Sequence, residues 1–211
     1  INTNKTNLIM SHHNAVLWGK SVITDILDGL RFEISANSFY QINSRQTSVL
    51  YGEALKAAKF TGAETVFDLY CGTGTISLFL ATQAKEVVGI EIIEEAVENA
   101  KRNATANKIE NAYFYAGAVD HVVTCLYEDG KKADVVVLDP PRKGSDQKTL
   151  DLILKMQPAR IVYVSCNPAT LARDLRHLAD GVYEINSVVP VDMFAQTSHV
   201  ETVVMMSRVS D

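Results

Sequence analysis

From Thr65 onward, short runs of apolar and β-branched residues alternate with longer stretches of helical composition, and that rhythm leaves few folds open. The expected strands are Thr65–Leu69, Glu86–Ile90, Tyr113–Tyr115, Asp134–Leu138 and Ile161–Val164. Helical patterns fall at Gly74–Thr82, Glu94–Asn107, Ala118–Tyr127, Gln147–Met156 and Ala169–Leu178. Strands that are apolar on both sides need cover on both faces, so the alternation predicts a mostly parallel α/β sheet clothed by helices. Val182–Val191 and His199–Met206 read as a strand pair that closes the sheet with an antiparallel strand. Upstream, Val16–Ile26 and Phe32–Ile34 read as strands joined at Asp28-Gly29, a dipeptide suited to a tight hairpin turn. A polar and aromatic connector, Ser38–Ser44, then leads into a helix over Arg45–Lys59. The chain therefore divides into a small β appendage, 1–44, and a seven-stranded α/β domain, 45–211.

At 211 residues with 47% hydrophobic content, the chain is long enough for a sizeable core. It contains no apolar run long enough to cross a bilayer and no signal-peptide pattern. Its three cysteines, Cys71, Cys125 and Cys166, are too scattered for a disulfide framework or a metal quartet, which favours a reducing, cytoplasmic setting and no metal. A net charge of -5 argues against tight nucleic-acid binding by this chain alone. Ile1 is not an initiator, and residues 1–12 are polar with little periodicity. A carboxyl-terminal part of a longer protein is expected, with any basic module lying upstream.

In an open sheet of this kind, ligands bind beyond the carboxyl ends of the strands. Chemically unusual residues recur at those ends. The first strand runs into Asp68-Leu-Tyr-Cys-Gly-Thr-Gly-Thr75, where Gly72 and Gly74 let the backbone approach a ligand. Glu91 ends the second strand and suits the hydroxyls of an adenosine ribose. A nicotinamide dinucleotide asks for a third glycine or alanine near position 77, which is Ser77 here. S-adenosylmethionine instead needs an acid near its cationic end, for which Asp68 is a candidate, and the loop favours that cofactor.

The remaining ends carry reactive groups. Asp139-Pro-Pro-Arg142 holds a carboxylate on a stiff backbone. In Ile161–Asp174 the apolar run turns abruptly at Ser165-Cys166-Asn167-Pro168, with Asn167 as helix N-cap and Pro168 at the first helical position. Cys166 sits on that crest, where a helix start is expected to lower its pKa, so it is a candidate nucleophile. Glu201, at the start of the last strand, is a candidate base. Thiolate and carboxylate together have a specific use. Carbon 5 of uracil is a poor nucleophile until a thiolate adds to carbon 6, and a base must later remove the carbon 5 proton so that the sulfur can leave. Nitrogen methylation needs no such adduct.

These segments, with Phe39-Tyr-Gln-Ile-Asn43, Asp139-Pro-Pro-Arg-Lys-Gly144, Ser165-Cys-Asn-Pro-Ala-Thr-Leu-Ala-Arg-Asp174 and His199-Val-Glu201, resemble the RNA uracil-5-methyltransferases in order and spacing. The resemblance implies a Rossmann-like class I methyltransferase fold and the formation of 5-methyluridine in ribosomal or transfer RNA, with 23S ribosomal RNA ahead of transfer RNA. It also implies that Cys166 is the nucleophile and Glu201 the base. Gln41, Tyr70, Glu91 and Asp139 would contact S-adenosylmethionine, joined by Asp68 and Thr75. Family members typically carry an upstream oligonucleotide-binding barrel, and many an upstream iron–sulfur cluster. Arg142, Lys143, Arg173 and Arg176 are candidates for phosphate contact. The rival readings are a methyltransferase acting on nitrogen and a cofactor-binding scaffold without activity. Arg142, where nitrogen-modifying enzymes often have an aromatic residue, counts against the first.

Overall fold

The computed structural model describes residues 15–36 and 38–209; the polar opening at 1–12 lies outside the described residues. A two-stranded antiparallel hairpin comes first, β1 (Val22–Leu27) and β2 (Leu30–Ser35). Its turn, Asp28-Gly29, takes positive φ at both residues (47° and 85°), the geometry that matches strand twist in a two-residue hairpin. The first strand starts at Val22, six residues later than its apolar composition suggests, because the chain turns at Gly19, where φ is 83°.

The main sheet comprises β3 (Thr65–Leu69), β4 (Glu86–Glu91), β5 (Ala112–Ala116), β6 (Val135–Leu138), β7 (Arg160–Ser165), β8 (Tyr183–Val191) and β9 (Glu201–Arg208). Spatial order is β5-β4-β3-β6-β7-β9-β8, with β9 antiparallel to both neighbours and the other ladders parallel. The chain winds outward from β3 to β5, then returns to lay β6 on the other side of β3. That reversal opens a crevice between the carboxyl ends of β3 and β6, the usual ligand position in such sheets.

Alternation along the strands sorts their side chains into two layers. Val66, Val87, Val135, Val137, Val162, Val164 and Val203 pack with α1 (Ser44–Ala58), α2 (Thr75–Ala81) and α3 (Glu94–Ala106). Phe67, Leu69, Val88, Ile90, Val136, Leu138, Tyr163 and Val204 pack on the opposite face with α4 (Val119–Glu128), α5 (Gln147–Met156) and α6 (Pro168–Leu178). The hairpin joins the first layer: Phe32 stacks on Phe79 of α2 at 6.3 Å between ring centroids, an arrangement worth about 1 kcal/mol beyond burial. Asn103 of α3 and Asn107, which caps that helix's C-terminus, fasten β2 by accepting from the amides of Glu33 and Arg31.

Candidate active site

The layer assignment extends past the strand ends and gathers the chemistry onto one face. Asp68 shares the parity of Val66, Glu91 that of Val87, Asp139 that of Val137, Cys166 that of Val164 and Glu201 that of Val203. All five therefore leave the sheet on the α1–α3 side, at one end of it. Ser165 pairs with Thr202 in the β7–β9 ladder, and one further step in that register sets Cys166 opposite Glu201. The charge of Glu201 acts on Cys166 across that step. The sulfur and the carboxylate thus border one gap.

Local structure explains how Cys166 reaches that gap. The Asn167 side chain caps α6 by accepting from the Ala169 amide at 3.1 Å, and Pro168 occupies the first turn, so the chain turns sharply just after the sulfur. The expectation of a lowered thiol pKa is corrected. Cys166 is raised above its ordinary value, first by burial and then by the negative charges of Glu201 and Asp139; Arg142 pulls the other way. Two facing carboxylates and a partly apolar setting outweigh the helix start.

The acids perturb one another as well. Asp68 is fully buried and accepts from Ser77 Oγ, and its carboxyl is pushed up to about 7, chiefly by burial and further by Glu91, with the Ser77 hydrogen bond opposing. Burial raises Asp139 well above the carboxylate range, with added repulsion from Glu201 and Asp68. Glu201, only 3% exposed, is raised by burial and pulled down by Arg142. A strand glutamate would ordinarily face water; this one is held inside.

The other expected cofactor residues have distinct settings. The Glu91 carboxylate accepts from the amides of Gly72 at 3.1 Å and Ile93 at 3.0 Å, which fixes its orientation at the end of β4. Gln41 is 6% exposed, and its buried Oε1 has no partner; Asp68 Oδ1 is in the same condition. Unpaired buried oxygens are costly, so each calls for a partner. Gly72 has φ 54°, and a Cβ added there meets nothing within 4 Å, so its surroundings are open. Gly74 has a packing role beside the expected ligand contact. An added Cβ would lie 2.9 Å from Ala100 Cβ and 3.1 Å from the Phe114 ring, so packing against α3 and β5 requires that glycine. Thr75 Oγ1 accepts from the Tyr51 hydroxyl at 3.3 Å. Tyr70 takes φ 69°, packs against the α4–α6 layer and bonds Ser145 Oγ through its hydroxyl at 3.0 Å.

Two side chains have surroundings here that sequence reasoning did not reveal. Tyr51 of α1 is buried, and its hydroxyl lies within electrostatic reach of Asp139 and Asp68. Its place on a helical apolar stripe marks it as core and conceals the polar end. Arg142 reads as a surface charge, yet it acts on both Cys166 and Glu201. Among the expected basic contacts, Arg142, Lys143 and Arg176 are exposed, whereas the Arg173 guanidinium is bonded to Asp174 and to two loop carbonyls. Among the described residues, no group of three His, Cys, Asp or Glu side chains could hold a metal ion, and no helix is long and apolar enough to cross a membrane.

Comparison with known proteins places this arrangement in context. Residues 11–209 match the model of the family described as tRNA (Uracil-5-)-methyltransferase. An uncharacterized RNA methyltransferase of Halalkalibacterium halodurans is 54% identical over 206 residues, covering 98% of this chain and 45% of that protein. The chain thus spans less than half the length of that relative. The crystal structure of Pyrococcus abyssi tRNA (uracil-54, C5)-methyltransferase in complex with S-adenosyl-L-homocysteine superposes with a TM-score of 0.78 at 36% identity, over 90% of this chain and 45% of that one. Ribosomal protein L11 methylase of Lactobacillus delbrueckii subsp. bulgaricus shares the fold, with a TM-score of 0.60 at 19% identity over 82% of each chain.

Proposed function

Since the chain belongs to the tRNA (uracil-5-)-methyltransferase family, we propose that it binds S-adenosylmethionine and methylates carbon 5 of a uridine in RNA through Cys166 and Glu201. The observation that carries this reading is the register that sets Cys166 opposite Glu201 on the acid-lined face. A base-modifying thiolate and the base that resolves its adduct have to meet one ring, and residues one step beyond the last β7–β9 pair on the same face suit that requirement.

The residues present fit the cofactor. The unpaired Gln41 Oε1 and Asp68 Oδ1, the open space at Gly72 and the mutually repelling carboxyls of Asp68, Asp139 and Glu91 suit a cationic ligand with hydrogen-bond donors. Bound there, S-adenosylmethionine supplies a methyl group on a positively charged sulfur. Glu91, oriented by two amides, would hold the ribose; Asp68, Asp139 and Gln41 would hold the amino-acid end, with Tyr70 and Thr75 bordering it. Residues 45–211 form the catalytic domain in this reading and 1–44 an appendage, whose β1–β2 hairpin packs onto it.

The chemistry then belongs to three side chains. Cys166, as thiolate, adds to carbon 6 of the uracil, and the ring electrons move to carbon 5, which takes the methyl. Glu201 removes the proton left on carbon 5, the carbon 5–carbon 6 double bond re-forms, and the thiolate departs. Burial raises the basicity of Glu201, which suits it to that proton. Arg142 favours the charged form of Cys166 against the neighbouring acids. A uridine in a helix would have to leave its stack to reach the thiol. Cytoplasmic RNA modification is the setting this reading implies.

The substrate expected from the resemblance is 23S ribosomal RNA. The likeness to the Pyrococcus abyssi enzyme, whose substrate is a tRNA, favours transfer RNA as a second reading. Nucleoside mass spectrometry of 23S ribosomal RNA and transfer RNA, purified separately from cells lacking the protein, distinguishes them. Loss of one 5-methyluridine in ribosomal RNA is the expected result. Loss in transfer RNA selects the second reading, and unchanged 5-methyluridine in both contradicts the proposed activity.

A further inference from the structure

The segment Asn167–Asp174 does more than cap a helix. One polar flank of α6 binds the main chain of the loop that follows β6. Asn167 Nδ2 and Thr170 Oγ1 donate to the Arg142 carbonyl at 3.0 and 3.2 Å. Arg173 Nη2 donates to the carbonyls of Lys143 at 3.0 Å and Ser145 at 3.3 Å. Asp174 Oδ2 accepts from the Ser145 amide at 2.8 Å and the Tyr163 hydroxyl at 2.6 Å, while its Oδ1 takes Arg173 Nε at 2.8 Å. Gly144, at φ 79°, makes the fit possible. A Cβ there would lie 2.5 Å from Arg173 Nη2 and 2.6 Å from Asp174 Oδ2. Asp174 is fully buried, and the Arg173 side chain remains 57% exposed.

These bonds reach the main chain of three of the loop's four residues, Arg142, Lys143 and Ser145. Arg142 rides on that loop, and its charge opposes those of Glu201 and Asp139 at Cys166. We propose that Arg173 and Asp174 are positioning residues, clamping the loop of residues 142–145 onto α6 so that the Arg142 guanidinium faces Cys166 and Glu201. Neither residue touches substrate in this account. Their effect reaches the chemistry through Arg142, and the proposal rests on the reading of Cys166 as nucleophile.

The test compares the native protein with Arg173→Ala, Arg173→Lys, Arg142→Gln and the Arg142→Gln/Arg173→Ala double variant. Iodoacetamide labelling of Cys166 is followed by peptide mass spectrometry through the range in which the thiol titrates, with exposed Cys125 on α4 as internal reference. The groups facing Cys166 are Glu201, Asp139 and Arg142, so loss of the Arg142 contribution moves its labelling midpoint upward. Arg173→Ala should produce the same upward move as Arg142→Gln, the double variant no further move, and Arg173→Lys an intermediate one. Covalent trapping on 5-fluorouridine-containing cellular RNA should slow roughly tenfold in Arg173→Ala, the scale expected when a reacting group's neighbour is misplaced by a fraction of an ångström. Native labelling in Arg173→Ala, or additive effects in the double variant, overturns the proposal. Native behaviour of Arg142→Gln also overturns it, while leaving Cys166 as nucleophile intact. Trapping that survives Cys166→Ser removes the nucleophile itself, and the proposal with it.

Discussion

Asp68→Asn is expected to make the folded chain more stable while weakening its hold on the cofactor. Asp68 is fully buried, bonded by Ser77 at one oxygen and unpaired at the other. Its carboxyl moves from 3.8 in the unfolded chain to about 7 in the folded one. At about 1.4 kcal/mol per tenfold change in proton affinity, that displacement corresponds to roughly 4 kcal/mol as a ceiling. The sign follows from which state holds the proton. Between the two values the folded state keeps it and the unfolded state does not. The stabilising contribution is therefore complete below about pH 4 and lost as pH rises through about 7. Asparagine does not titrate, so the variant should match the native chain at low pH and exceed it above neutrality. For a chain of this size, a gain of roughly 4 kcal/mol raises Tm by about 8–16 °C. Thermal melts of both proteins without cofactor, from about pH 4 to about pH 9, measure the gap directly. A gap independent of pH, or a less stable variant above neutrality, would refute the reasoning. Calorimetry with S-adenosylhomocysteine should show the accompanying loss of affinity, as expected where a site is strained in favour of its ligand.

Glu201→Gln should permit the RNA adduct and stall its release, so that the covalent complex accumulates while turnover falls by roughly 10²- to 10⁴-fold; normal turnover would remove Glu201 from the mechanism. The two glycines of the first loop should separate cleanly. Gly74→Ala drives a methyl into Ala100 and Phe114 and should cost about 1–3 kcal/mol of stability on chemical denaturation. Gly72→Asn meets no protein atom at its Cβ, and asparagine tolerates the φ of 54° there, so it should act mainly on cofactor affinity, read by calorimetry; equal stability losses at both positions would contradict that division.

Much of the fold is legible in the chain because burial writes periodicity. A central strand covered on both faces has to be continuously apolar, and Val135–Leu138 and Arg160–Ser165 lie where such runs predict. The Asn167-Pro168 pair announces the turn that presents Cys166 because capping is local chemistry. Properties set by neighbours distant in sequence were harder to read. The thiol pKa depends on burial and on two acids brought in by β6 and β9, so a helix-start argument gave the wrong sign. Gln41 sits in a polar connector, and only tertiary packing buries it with an unpaired oxygen. Arg142 has the appearance of a solvated charge, and only the fold brings that charge to bear on Cys166 and Glu201. Gly74 illustrates the reverse case, where a residue suggestive of ligand approach is required by a neighbouring helix.

The most direct trial is covalent capture. The full-length protein is incubated with S-adenosylmethionine and RNA carrying 5-fluorouridine, whose fluorine cannot leave as a proton does, and the product is digested and mapped by mass spectrometry. A nucleotide joined through carbon 6 to the Cys166 sulfur, present in the native protein and absent from Cys166→Ser, is the predicted result. No adduct on an RNA that the enzyme methylates in its unfluorinated form, or an adduct on Cys71 or Cys125 instead, would contradict it.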